Sequence, residues 1–489
     1  MHITLKSTGT RYQINPLTIL VFLTALQLIV TLLSNGFVLS FDESIWHYIG
    51  RNWFRHGLVP YTGGADNKSP FIFAIFGLSD TLFGVNYWFP RVLATLCQTI
   101  GIYYLYKIAQ KLAGNTAGLL LLLFYGLSLL WHATGGQYVA FTETYEVMFM
   151  TVAVYKYINA SNKQALLIGG LLAGIAVDFR LSAAFVIVAI LIHALFRKRF
   201  TDILIFCLGV VSGLLVLIIV CALSGIDLHQ LLINGLLDNF GKGSATDHTA
   251  AFKFDSFCHR FIYSPLVLFY PLVLLYVFIK RKIDLPVLWC VMAFTAINMI
   301  GIYDVVHLKD LLPSLSLINA IAATYLVEKY KLPAGLVALA VGIIFFPSMA
   351  VPIANVKVLL GSTEPPIIYG KAPYVNPPEG DRKALGKWIK AHTNSTDLVL
   401  VHSFGTQVQV YSERLSPTIY FNITQTPIAK ARFYQDLQKN KPAMILVPMF
   451  PEYQNLVDTD LRAFVSNLVK SNYHLERIMY NYQIFRINK

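Results

Sequence analysis

The sequence predicts a polytopic α-helical membrane protein of about eleven spans, with a small extramembrane α/β domain at its carboxyl end. Three observations carry this. Of 489 residues, 56% are hydrophobic and 13% charged, with a mean hydropathy of +0.57, too apolar for a soluble protein of this size. Apolar runs of about 18 to 23 residues, enough to cross a hydrocarbon core roughly 30 Å thick, recur through the first three quarters. A β-barrel would show short alternating segments instead. Finally, basic residues cluster between the runs: Arg197-Lys198-Arg199, Lys280-Arg281-Lys282, and Lys329 with Lys331. That is the positive-inside pattern, so the net charge of +13 reports orientation and gives no support to a nucleic-acid partner.

Taken in order, the first run covers 16 to 39. Lys6 and Arg11 before it resemble a signal peptide, but the run is long and lacks a small-residue cleavage site, so it reads as a retained anchor. It runs from inside to outside, which puts the polar stretch from Phe41 to Pro70 outside. There Ile45, Ile49 and Trp53 recur at helical spacing, His47, Arg51 and Arg55 lie off that stripe, and Gly57 ends the pattern. The expectation is a short amphipathic helix on the outer membrane surface, with Ser40 and Glu43 at capping-box spacing.

The segment 69 to 84 reads as one that dips into the membrane without crossing. Further spans are expected at 86–107, 116–134, 140–158, 164–179, 181–196, 201–224, 261–279, 284–303, 310–327 and 332–353. An odd count places the amino end inside, the carboxyl end outside and the basic clusters all inside. A second long outer loop at 225–260, containing Lys242, has the length and glycine content of a lid. The five cysteines, Cys97, Cys207, Cys221, Cys258 and Cys290, lie in or beside spans without metal-ligand spacing and read as buried thiols.

Composition changes near 355, dividing the chain into a membrane domain, 1–354, and an α/β domain, 355–489. Pro365-Pro366 and Pro377-Pro378 mark a linker. Strands are expected at Leu398–His402, Val408–Tyr411, Met444–Val447 and Ile478–Ile487, and helices at 381–392, 427–439 and 455–470. No glycine-rich phosphate fingerprint appears there.

The candidate chemistry gathers at one predicted depth, the outer edge of the bilayer. Asp42 and Glu43 form a carboxylate pair where the chain leaves the first span, a costly place for acids unless they serve a site. The plainer account is a helix cap and a dipole contact, together about 0.3 to 2 kcal/mol; it is compatible with catalysis. Glu143 and Glu146 open the span near 140 and share a face, with Glu143 the one expected to face a cavity. Arg91, Arg180 and His307 with Lys309 are positive groups at the same level. Arg91 could equally snorkel to headgroups. Arg180 and Lys309 each sit in a tight turn between apolar spans, one offering a rigid fork for phosphate and the other a point charge. His307 is open to a plain core hydrogen bond. Such an arrangement suits a lipid phosphate at headgroup depth carrying a sugar in the water. Its transfer needs one base for the acceptor and cations for the departing phosphate, whereas a glycosidase needs two opposed carboxyls. No cofactor or metal ligand is assigned, and a divalent metal is left open.

Asp42-Glu43 followed by Tyr48, Gly57, Pro60-Tyr61 and Lys68-Ser69-Pro70 resembles the first external loop of GT-C fold glycosyltransferases, in particular the protein O-mannosyltransferase and lipid A aminoarabinose transferase superfamily. Phe83-Gly84 with Arg91, Thr142-Glu143, Gly174 to Arg180 and His307 to Pro313 are similar to later landmarks of that group. The resemblance implies a polyprenyl-phosphate-linked sugar donor, inversion at the anomeric carbon, Asp42 as base with Glu43 beside it, Glu143 at the second acidic position, and Arg180 as a phosphate ligand. Lys68 departs from the pattern in being followed by Ser69-Pro70 where two prolines are usual. The expected acceptor is a hydroxyl of a lipid, glycan or protein, and the expected location a bacterial inner (plasma) membrane with the site facing the periplasm or exterior. The competing reading is a transporter or flippase of lipid-linked saccharides, which should instead scatter polar residues near the bilayer midplane.

Overall fold

The computed structural model describes residues 3–5, 12–33, 41–130, 140–237, 254, 258, 270–280, 284–300, 305–346, 352–353, 355–357, 360–362, 377–402, 405–421, 426–449 and 457–488. Ser40, the loop around Lys242, the start of the span expected at 261 and Pro365-Pro366 lie outside the described residues.

In chain order, a hairpin of β1 (Ile3–Leu5) and β2 (Tyr12–Ile14) precedes eight helices: α1 (Pro16–Leu33), α2 (Phe41–His56), α3 (Pro70–Phe83), α4 (Trp88–Ser128), α5 (Thr142–Ile158), α6 (Lys163–Phe179), α7 (Ala183–Phe196) and α8 (Phe200–Ser224). After a helical stretch at 228–237 come α9 (Tyr270–Lys280), α10 (Leu285–Ile300), α11 (Leu312–Tyr330) and α12 (Ala334–Ile344). The carboxyl-terminal part runs α13 (Pro377–His392), β3 (Val399–Val401), α14 (Thr406–Ser412), α15 (Pro427–Lys439), β4 (Met444–Pro448), α16 (Thr459–Asn472), β5 (Tyr473–Met479) and β6 (Tyr482–Ile487). Among the described residues α1, α4 and α8 are long and apolar enough to cross a membrane alone, and α3, α7, most of α10, and α12 are shorter apolar helices. Within α4, Ala113 and Gly114 leave helical geometry, with Gly114 at φ +81°, a value glycine adopts without strain. This break separates the two spans expected at 86–107 and 116–134.

The chain divides into two compact units. The first comprises Met1–Ser34, Arg91–Leu217 and His248–Tyr374. Here α5 lies along α6, α7 on α10 and α9 on α11. Every residue of α11 from Leu312 to Thr324 is buried, so this helix is surrounded by protein. By contrast, α8 exposes Leu204, Leu208 and Val211, the pattern of a helix whose outer face meets lipid tails. What holds α8 to α6 is small-residue packing: a Cβ added at Gly170 would stand 2.1 Å from the Phe206 carbonyl oxygen, and one at Gly174 2.3 Å from that of Val210. Gly209 and Gly213 approach Leu167 and Leu171 in the same way. Without a hydrophobic drive between helices in lipid, such backbone proximity supplies the dispersion contact that holds them.

The second unit comprises Asn35–Pro90, Ile218–Asp247 and Val375–Lys489. Its sheet has the order β3-β4-β6-β5, with β3 parallel to β4 and the other pairs antiparallel. Alternation sorts the strand side chains: Val399, Val401, Met444 and Leu446 meet Leu385 and Ile389 of α13, whereas Leu400 and Ile445 meet Phe433, Leu437 and Val465. The strand expected at Val408–Tyr411 is instead helix α14, buried throughout. Val408 and Val410 mimic a two-residue period, but both are enclosed, so burial on all sides erased the amphipathic signal that would have shown a helix. The strand expected at Ile478–Ile487 is the turn and second arm of the β5–β6 hairpin.

The glycine contact gives a direct test. Gly174→Val should destabilise the protein by about 1 to 3 kcal/mol through overpacking, read as a fall in unfolding temperature in detergent. Gly342→Ala, where an added Cβ meets nothing within 4 Å, should leave that temperature unchanged or slightly raised.

Candidate active site

In the first unit the amino ends of α5 and α7, the carboxyl end of α6 and a turn at Val305–Asp310 ahead of α11 supply one buried polar cluster. Arg180 caps α6 in an extended conformation, its N–H donating to the Ala176 carbonyl at 3.0 Å, and the chain then turns into α7. This geometry commits its side chain to the cluster. Arg180 Nη1 lies 2.6 Å from Glu143 Oε1 and 3.5 Å from Asp310 Oδ2, with the arginine side chain only 10% exposed. Thr142 Oγ1 donates to Glu143 Oε2 at 3.0 Å. One turn on, Glu146 accepts from the Ser182 hydroxyl, which is 3.1 Å from both of its oxygens.

His307 Nδ1 lies 2.7 Å from Arg180 Nη2. Because a guanidinium can only donate, Nδ1 is the acceptor and the ring proton sits on Nε2. The Glu143 oxygen 3.3 Å from the same nitrogen is then a close neighbour and no hydrogen bond. The histidine thus braces the arginine. Lys309 is buried and donates to Thr144 Oγ1 at 2.8 Å, beside a cavity of about 10 Å³ lined in part by Gln98, Tyr125 and Thr144, room for one water. Burial draws the Lys309 ammonium down to about 8, against the opposing pull of Glu143 and Asp310.

The structure therefore brings together Glu143, Arg180, His307 and Lys309, four residues drawn from distant parts of the chain. It adds Asp310 and Ser182, which sequence reasoning missed; the signal for Asp310 was a second charge adjoining Lys309 at the head of an apolar span. Arg91 also belongs to this unit, at the head of α4, and it is 1% exposed, so it is enclosed by protein and does not reach for headgroups.

Asp42, Glu43 and Lys68 belong to the second unit. Asp42 and Glu43 stand in the first turn of α2, where the helix dipole favours anions; Asp42 is half-buried and Glu43 fully buried. The following residue, Ser44, has its hydroxyl 3.2 Å from that of Tyr87. Lys68 is half-buried, and its carbonyl accepts from the Tyr61 hydroxyl at 2.6 Å. Ser69, where the resemblance expects a proline, caps α3 by accepting from the Phe71 N–H at 3.3 Å, with Pro70 at the first helical position. Of the polar face assigned to α2, His47 and Arg51 are buried and only Arg55 meets solvent, because α3 and α14 cover that face. Among the described residues no three His, Cys, Asp or Glu side chains converge as metal ligands.

A family model described as dolichyl-phosphate-mannose-protein mannosyltransferase matches residues 67–223, a stretch that holds Lys68, Arg91, Glu143 and Arg180. No curated protein matches by sequence. Among solved structures, ArnT from Cupriavidus metallidurans bound to undecaprenyl phosphate superposes with a TM-score of 0.63 at 14% identity, covering 96% of this chain and 97% of that one. Its apo state gives 0.59 over the same coverage. The oligosaccharyltransferase from Archaeoglobus fulgidus, in complex with Zn and sulfate, gives 0.56 at 12% identity, over 93% of this chain and 71% of that one. The chain is an integral membrane protein with the GT-C glycosyltransferase fold, and its residues 67–223 carry the sequence pattern of the dolichyl-phosphate-mannose-protein mannosyltransferase family.

Proposed function

We propose that this protein is an inverting glycosyltransferase that moves a sugar from a polyprenyl-phosphate donor to a hydroxyl of a lipid, glycan or protein acceptor. The observation that carries this reading is the buried cluster of Arg180, Glu143, His307 and Lys309 at the ends of apolar helices. Two cations held at helix ends, one a planar fork and one a point charge, suit a phosphate at the edge of a bilayer. The family match and the undecaprenyl phosphate held by ArnT support the same donor class.

In this mechanism the acceptor oxygen attacks the anomeric carbon from the face opposite the phosphate, which gives inversion. The bond from that carbon to the phosphate oxygen breaks, and its electron pair leaves on the phosphate. Asp42 takes the acceptor's proton, with Glu43 as its neighbour at the head of α2. A phosphate leaves without needing a proton, so one base suffices. Arg180 and Lys309 stabilise the charge that develops on the leaving group. Glu143 holds the guanidinium until the phosphate takes its place, and His307 keeps the fork in its plane. Arg91 and Lys68 are further cations for the donor. The site faces the exterior or periplasmic side of a bacterial inner membrane in this reading.

Asp42→Asn should lower transfer by about 10²- to 10⁴-fold while leaving expression and unfolding temperature as they are, measured by release of free polyprenyl phosphate. Near-normal release would remove Asp42 from the mechanism. The lowered pKa of Lys309 gives a second test. A lysine is charged below its pKa and neutral above it, so affinity of the free protein for polyprenyl phosphate should fall as pH rises past about 8. Lys309→Arg should flatten that dependence; a dissociation constant insensitive to pH in the parent protein would exclude Lys309 as a phosphate ligand.

A further inference from the structure

The second unit contains a charge network that the proposed transfer chemistry does not use. Helices α2 and α3 meet at two glycines: a Cβ on Gly50 would lie 2.3 Å from the Phe73 carbonyl oxygen, and one on Gly77 2.5 Å from that of Gly50. Contact this close presses the polar face of α2 onto Asp80, a carboxylate with no exposed surface in the last turn of an apolar helix. Arg55 Nε lies 2.6 Å from Asp80 Oδ1, and Arg55 also donates to the Asp80 carbonyl at 2.5 Å. His47 Nδ1 lies 3.4 Å from Asp80 Oδ2. Burial, and then the nearby Arg51, pull His47 down to about 3, so it meets Asp80 as a neutral ring and the negative charge of Asp80 is left to the two arginines.

Arg51 is 2% exposed and crosses from this network to the carboxyl-terminal layer. Its Nη1 donates to the Val410 carbonyl at 2.6 Å, in the last turn of α14, a carbonyl that also accepts from the Glu413 N–H at 3.3 Å and lies at the helix end where a cation is favoured. Beside it, the Tyr48 hydroxyl accepts from the Ser416 N–H at 2.7 Å, and the Tyr48 ring lies 4.2 Å from that of Phe421. The Ala65 N–H donates to the Ile419 carbonyl at 2.8 Å, so residues 416–421 follow the first loop as well as its helix.

We propose that the carboxyl-terminal α/β layer is a positioning element for transfer: through Asp80, Arg51 and Tyr48 it sets the rotation and depth of α2, and with them the direction in which Asp42 leaves the first turn. The inference rests on the reading of Asp42 as the base. Arg51 follows Asp42 by nine residues, about 14 Å along a rigid helix axis, so a small tilt at the clamp becomes a displacement at the carboxylate. A misplacement of about 1 Å can cost on the order of 10²-fold in rate.

Two variants of the full-length protein in detergent or nanodiscs test it. Tyr48→Phe removes one hydrogen bond and keeps the ring, and Asp80→Asn removes the charge at constant size. Both should lower kcat about 10- to 100-fold with KM for the donor unchanged within about twofold, and Tyr48→Phe should keep the parent's unfolding temperature. A purely structural role predicts the reverse, a lower unfolding temperature with kcat per folded molecule intact. Parent-level kcat in folded Tyr48→Phe, with Asp42→Asn inactive, overturns this proposal alone. Transfer that survives in Asp42→Asn strikes the base assignment and takes this inference with it.

Discussion

The ion pair between Arg180 and Glu143 is the constraint around which the first unit is arranged. A guanidinium and a carboxylate 2.6 Å apart with little solvent around them have lost most of their hydration, and their attraction offsets that loss only if the remaining donors and acceptors are also met. The companions meet part of that demand. His307 accepts from the second guanidinium nitrogen, Thr142 donates to the second carboxylate oxygen, and Ser182 serves the neighbouring Glu146. These groups come from three helix ends and one turn, so meeting the demands of one pair fixes how α5, α6 and α7 terminate and where the chain enters α11. Exposed apolar faces such as that of α8 place few specific demands on their surroundings. The buried charges do, and they are where the helices have to agree.

Much of this was legible in the sequence because apolar and polar residues change over abruptly at span ends. The expected spans at 164–179 and 201–224 fall within a residue of α6 and α8, whose limits are marked by Asn162 as a cap, Arg180 as a stop and Gly225 in left-handed geometry. The polar residues at those limits were visible for the same reason: Glu143, Arg180 and Lys309 stand out against apolar neighbours. Asp80 stood out equally in its apolar helix but has no charged neighbour in sequence, and its partners on α2 lie far along the chain. The spacing of His47 and Arg51, off the apolar stripe of α2, is that of a solvated face. The sequence around α2 carries no sign of α14, which arrives from residues after 400 to cover it. Local period reports which residues share a face, and only the fold reports what that face meets.

The two units rely on different kinds of cohesion. In the first, α6 and α8 are held by glycine contacts that bring backbone to backbone. The second joins the α2–α3 pair to an α/β core with its own alternating strands, and hydrogen bonds to main-chain atoms of Val410, Ser416 and Ile419 run across the join. Main-chain partners depend on the local fold more than on side-chain identity. The join therefore depends on α14 and the segment after it keeping their course.

The second unit is assembled from the beginning, middle and end of the chain. During synthesis α2 and α3 are made early, but the strands and helices that cover them follow roughly 300 residues later, an interval of about 15 s to a minute at 5–20 residues per second. Throughout that interval Arg51 and Tyr48 lack the main-chain partners that Val410 and Ser416 later supply. The clamp on α2 therefore closes only once residues 406–421 have been made, long after α2 itself, so the order of synthesis separates the making of this helix from the fixing of its pose.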